Sequence, residues 1–112
     1  MSKMYADLNK LYFGPDIVTD DLIRYEWARI PHFYNAFYVY KYATGYSAAT
    51  AISDLILKNG TDNYIDFLRT GNSNYPIELL KIAGVDMSTK EPVDTAMKVF
   101  TKLVDQLEQL MG

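Results

Sequence analysis

The stretch EPVDTAMKVFTKLVDQLEQLM, residues 91–111, decides the fold class. Val93, Ala96, Met97, Phe100, Leu103, Val104, Leu107, Leu110 and Met111 recur at steps of three and four. That spacing lays one apolar stripe along a helix and leaves polar residues opposite it. Pro92 suits the first turn, where its missing N–H has no partner to lose. Outward from this helix the same period governs the chain, and no segment alternates as a strand should.

Residues 85–90 form a connection before the last helix, and Pro76 opens a short helix that ends at Gly84. Gly71-Asn72-Ser73-Asn74 is a loop, and Thr61 or Asp62 caps a short helix over Tyr64 to Thr70. The spacing predicts the longest helix from about His32 to Leu57, stopped by Asn59-Gly60. Its second half (Ala48, Ala49, Ala51, Ile52, Leu55, Ile56) reads as a tight packing face. Pro31 lacks a donor and disfavours a helical residue before it. It therefore separates that helix from one running from Asp20 or Asp21 to about Arg29, whose acidic start complements the helix dipole. Phe13-Gly14-Pro15-Asp16 ends a first helix covering Lys3 to Leu11 or Tyr12. The expected architecture is an all-α bundle of five to six helices, with residues 1–112 forming a single domain.

Composition narrows the function. The net charge is −3, and 11 Lys and Arg are scattered among 14 acidic residues, so no basic face can follow a phosphate backbone. Nucleic acid is excluded as a partner. Without cysteine there is neither a disulfide nor a thiolate metal site. Charges interrupt every apolar run that could span a bilayer, and residues 1–10 lack the apolar stretch of a signal peptide. A cytoplasmic protein with no membrane association is expected.

Chemistry concentrates in residues 27–46, WARIPHFYNAFYVYKYATGY, which hold the only Trp and the only His. Buried phenols contribute apolar area and a hydroxyl that needs a partner, so several of them beside one imidazole suggest the polar wall of a cleft. His32 is the one residue whose side-chain type has tunable chemistry near neutral pH. The plainer role for it is to cap or hydrogen-bond the backbone at a helix start after Pro31. Tyr34, Tyr38, Tyr42 and Tyr46 are spaced by four, which is also the spacing of an ordinary core or interface stripe. On one continuous helix Tyr40 would share a face with Phe33, Phe37 and Thr44, with Tyr38 nearly opposite. Aromatics on both faces imply a helix enclosed by more protein than 112 residues supply.

Catalytic zinc needs three protein ligands and an open position. One His and no Cys leave only carboxylates to complete such a site. No Gly-x-Ser-x-Gly turn marks a nucleophile, and Gly14, Gly60, Gly71 and Gly84 punctuate helices rather than cradle phosphate.

Two blocks, WARIPHFYNAFYVYKYATGYSAA and FLRTGNSNYPIELLKIAGVDM, resemble the C-terminal end of the oligoendopeptidase F group of thimet-oligopeptidase-like zinc metallopeptidases. The resemblance extends from about Tyr5 (YADLNKLYFGPD) to the closing helix. It implies the C-terminal part of a larger, mostly helical peptidase whose channel admits short peptides. It also implies a zinc held by a His-Glu-x-x-His helix and a downstream glutamate, with the motif glutamate activating water. That motif is absent here, so the zinc ligands would lie in a missing catalytic segment, and the isolated chain should bind no zinc and hydrolyse nothing.

Within the family, the region matching Pro31 to Tyr40 lines the substrate channel opposite the zinc. The resemblance thereby implies catalytic roles for His32 and Tyr40, as donors to the substrate backbone and the developing oxyanion. The spacing from His32 is shorter than in relatives, which leaves Tyr34 and Tyr38 as alternatives for the functional phenol and as substrate-binding candidates. Cut from its parent, the chain should self-associate through the aromatics of residues 34–46. The competing expectation is a stand-alone helical interaction module with no catalytic activity.

Overall fold

The apolar periods fold into α1 (Ser2–Phe13), α2 (Tyr40–Asn59), α3 (Asp62–Arg69), α4 (Pro76–Ile82) and α5 (Glu91–Met111). Two 3₁₀ segments, Asp21–Arg29 and Pro31–Tyr34, lie between α1 and α2. The computed structural model describes residues 1–112 and is all-α, without a strand. The chain divides into two compact units, Met1–Tyr40 and Lys41–Gly112. No helix is long and apolar enough to cross a membrane.

In the first unit α1 packs against the segment Asp21–Arg29, and Trp27 Nε1 donates to Ser2 Oγ at 3.0 Å. The expected α-helix over residues 20–29 forms instead as a 3₁₀ helix, long for its kind. Two ion pairs, Asp21–Arg24 and Glu26–Arg29, lie along it, each joining residues three apart. Arg24 Nε also donates to the Asp21 carbonyl at 3.0 Å. Asp20 caps the start, its Oδ1 accepting from the Leu22 amide at 2.6 Å. No residue of this unit is buried.

The single helix predicted from His32 to Leu57 does not form. Pro31–Tyr34 makes one 3₁₀ turn, and α2 starts only at Tyr40. Between them the Tyr38 amide donates to the Asn35 carbonyl at 3.2 Å, closing a turn in which Phe37 has φ 59°. A right-handed helix cannot pass through that conformation. Local preference agrees, since Asn favours the first position of a turn and Phe, Tyr and Val all rank low as helix formers. The predicted tyrosine stripe is therefore cut, and only Tyr42 and Tyr46 keep their spacing on α2. The face expected to unite Tyr40 with Phe33 and Phe37 does not exist.

The second unit has a small core. Ala48, Ala51 and Val85 are buried, with Ile52, Leu55, Leu80 and Met87 packed on them. The alanine-rich half of α2 thus packs as its spacing predicted, except that Ala49 stays exposed. The end of α4 delivers Val85 to this core. The Val85 amide donates to the Leu80 carbonyl at 3.0 Å and the Gly84 amide to the Lys81 carbonyl at 3.0 Å, the paired bonds of a Schellman motif. That motif needs a left-handed residue at Gly84, which has φ 85°. Asp86 follows, its carboxyl held below the usual range by the Ser88 hydroxyl and then the Ser88 amide. Thr61 precedes α3 as expected, but its side chain makes no capping bond. Along α5 only Pro92 and Ala96 are buried, and Met97, Phe100, Leu103 and Leu107 remain more than half exposed.

A Cβ added at Gly84 would meet Leu55 Cδ1 at 3.2 Å, whereas one added at Gly60, at φ 86°, meets nothing within 4 Å. Gly60→Ala should therefore show the backbone penalty alone, about 1–2 kcal/mol. Gly84→Ala should be the more destabilising of the two in denaturant unfolding followed by circular dichroism. Equal losses would mean that Leu55 yields freely.

Candidate functional site

Pro31 fixes the start of the segment that carries His32. Ile30 ahead of it is extended, at φ −94° and ψ 108°, as a residue before proline prefers. The 3₁₀ turn follows, with the Phe33 amide donating to Ile30 and the Asn35 amide to His32. The turn at residues 35–38 then folds the chain back, so that the ring of Tyr38 lies 5.1 Å from that of His32, centroid to centroid, at 34°. Two residues predicted as site groups are thus brought together.

Tyr34 faces another way. Its hydroxyl donates to the Ala28 carbonyl at 2.7 Å, and its ring lies 6.4 Å from Trp27. A phenol has one proton to give, so in this arrangement Tyr34 can offer a substrate only its oxygen lone pairs. Through Trp27 and Ser2 the same contacts tie the His32 segment back to α1. Phe33 joins Met4, Tyr5, Leu8, Tyr12 and Phe13 around an apolar groove on α1. Tyr40 opens α2 and is 57% exposed.

Residues 31–40 are exposed throughout and contain no Asp, Glu, Lys or Arg. The segment sets an imidazole and several phenols, side chains able to donate hydrogen bonds, on this stretch. Sequence reasoning missed Phe37, the one non-glycine residue with positive φ. The Asn35 turn preference was the available signal, and the helical spacing of the tyrosines masked it.

The profile of Peptidase family M3 matches residues 1–99. The chain belongs to that family. Oligopeptidase PepF of Bacillus subtilis (strain 168) is 54% identical over 114 residues, covering 99% of this chain and 17% of that protein. The chromosomal oligoendopeptidase F of Lactococcus lactis subsp. cremoris is 40% identical, with 99% of this chain and 19% of that protein covered. The crystal structure of oligoendopeptidase-F from Enterococcus faecium superposes with a TM-score of 0.86 at 41% identity, over 99% of this chain and 22% of that one. The chain spans about a fifth of the length of these family M3 relatives. Its own residues do not fit a catalytic zinc. It has one His and no Cys, and nowhere do three or more His, Asp or Glu side chains gather.

The hydroxyl of Tyr34 should matter to the fold. Tyr34→Phe deletes its bond to Ala28, which predicts a loss of about 1 kcal/mol. Trp27 is the sole Trp and touches Tyr34, so its fluorescence reports the transition directly. An unchanged denaturant midpoint would reject a structural role for that hydroxyl.

Proposed function

We propose that residues 1–112 are the C-terminal portion of a zinc-dependent oligoendopeptidase that hydrolyses short peptides. His32 and Tyr40 act in it as donors to the tetrahedral intermediate, and Tyr34 and Tyr38 as substrate-binding groups. The zinc and its ligands belong to the catalytic segment of the parent, so the 112-residue chain alone is inactive. The observation that carries this reading is the exposed, uncharged donor row of residues 31–40, centred on the His32–Tyr38 ring pair. Similarity to oligoendopeptidases over 99% of the chain supports the substrate class.

The chemical logic follows from what a peptidase must stabilise. Attack of water on a carbonyl places negative charge on its oxygen, and donors already aimed at that position lower the barrier without reorganising. Neutral phenols and imidazole suit the task, because they hold a peptide backbone without selecting charged side chains. Tyr38, resting on His32, restricts the imidazole to fewer orientations, which is what a directional donor requires.

In the full-length enzyme, His32→Ala and Tyr40→Phe should each lower kcat for a short peptide on the order of 100-fold, with a smaller change in KM. Turnover within a few fold of wild type would remove that residue from the proposed site. If Tyr38→Phe shows the large loss and Tyr40→Phe does not, the functional phenol is Tyr38.

Separated from its parent, the chain exposes the large aromatics Tyr34, Phe37 and Tyr40 in its first unit and Tyr42 and Tyr46 in its second. Exposed apolar surface of this kind favours association. Sedimentation of the isolated chain should show concentration-dependent association, and a strict monomer at high concentration would count against an aromatic face that needs covering.

A further inference from the structure

Five glycines take positive φ, at residues 14, 60, 71, 84 and 112, as expected of a residue without a Cβ. Phe37 takes the same kind of backbone, at φ 59°, and does so as a bulky aromatic residue. Glycine or asparagine would hold that turn position with less strain. Packing within the chain does not explain the choice, since Phe37 is 83% exposed. Neither backbone preference nor burial accounts for a phenyl ring at the tip of the loop between His32 and Tyr40. A strained residue held in that place is motive to look for what its side chain does.

We propose that Phe37 is a specificity-determining residue, presented by its left-handed turn as an apolar contact for a hydrophobic side chain of the peptide substrate. The proposal rests on the reading of residues 31–40 as a substrate-facing segment. The turn is short and is closed by the Tyr38 amide on the Asn35 carbonyl, which holds the backbone from which the phenyl projects. His32 and the phenols, which bind backbone, are blind to substrate side chains. An aromatic ring among them supplies the missing selectivity, because it gains only from an apolar partner.

The test uses the full-length enzyme and two fluorogenic peptides that differ at one position, Phe in one and Ser in the other. Phe37→Gly keeps the left-handed turn and removes the ring. It should lower the Phe-to-Ser ratio of kcat/KM about 10-fold, within the range that apolar pocket contacts supply. Phe37→Leu, which keeps an apolar side chain, should retain most of the ratio. Peptides with the varied residue moved along the chain locate the subsite, and the ratio should fall at one position only. A ratio that stays within twofold at every position, in a Phe37→Gly enzyme that folds, overturns the proposal. So does a Tm lowered by several degrees in a Phe37→Gly enzyme whose Phe-to-Ser ratio is unmoved, because the ring then packs against the rest of the protein. His32→Ala in the same assay separates the two levels. A ratio that falls while His32→Ala turns over normally keeps Phe37 at the substrate and rejects only the donor role. A large loss in His32→Ala beside an unmoved ratio rejects Phe37 alone.

Discussion

The 3₁₀ winding of residues 31–34 stops at an extended Asn35, Phe37 then takes a left-handed backbone, and the candidate site exists because the chain turns there. On a continuous α-helix, residues six apart are separated by about 9 Å along the axis and about 120° around it. His32 and Tyr38 are six apart, yet their rings lie 5.1 Å centroid to centroid. Only a reversal of the chain between them permits that contact, and the turn from Asn35 to Tyr38 provides it. The strain at Phe37, on the order of 1–3 kcal/mol for a residue in such a conformation, is the cost of bringing imidazole and phenol together.

The two units are held by different means. Lys41–Gly112 has a core in which Gly84 and Val85 let α4 end and still deliver an apolar side chain inward, with Val85 only 2% exposed. Met1–Tyr40 has no buried residue, and its order comes from local turns, the Trp27 bond to Ser2 and the Tyr34 bond to Ala28. The surface ion pairs add little, since exposed pairs contribute at most about 1 kcal/mol. A unit stabilised so lightly, with its aromatics outward, has the character of a surface that the rest of a larger protein completes. The apolar stripe of α5, exposed beyond Ala96, has the same character. Both features accord with a chain that spans about a fifth of its family M3 relatives.

The final helix was legible because Val93 to Met111 keep one period for five turns and Pro92 marks the start. Gly60 and Gly84 likewise announced helix ends, since only glycine takes φ near 85° without strain. The 3₁₀ winding of Asp21–Arg29 was not legible. Three-residue and four-residue spacings share most of their apolar positions over nine residues, so periodicity alone does not separate the two windings. Residues 31–40 misled for a different reason. Tyr34, Tyr38 and Tyr42 imitate a helical stripe, while the turn that separates them is encoded by Asn35 and by a phenylalanine in a backbone that its type rarely takes. His32 stood out because it is the only histidine, but its ring contact with Tyr38 could be found only from the folded turn.

The balance between donors and charge in residues 31–40 bears on how such a segment would work. A lysine or arginine there would attract a carboxylate more strongly than a peptide carbonyl, and so would hold the ground state of acidic substrates rather than the transition state of ordinary ones. Imidazole and phenol discriminate in the opposite sense. Their hydrogen bonds strengthen as charge develops on the acceptor, since a bond to an ionised acceptor is roughly twice as strong as a neutral one. The gain is greatest where water is kept away, and this segment is exposed in the chain by itself. The proposed donor role therefore calls for a second wall as well as a metal. On that reading a 3₁₀ turn and one strained residue fix the donors in advance, and an enclosing protein would make their fixed positions count.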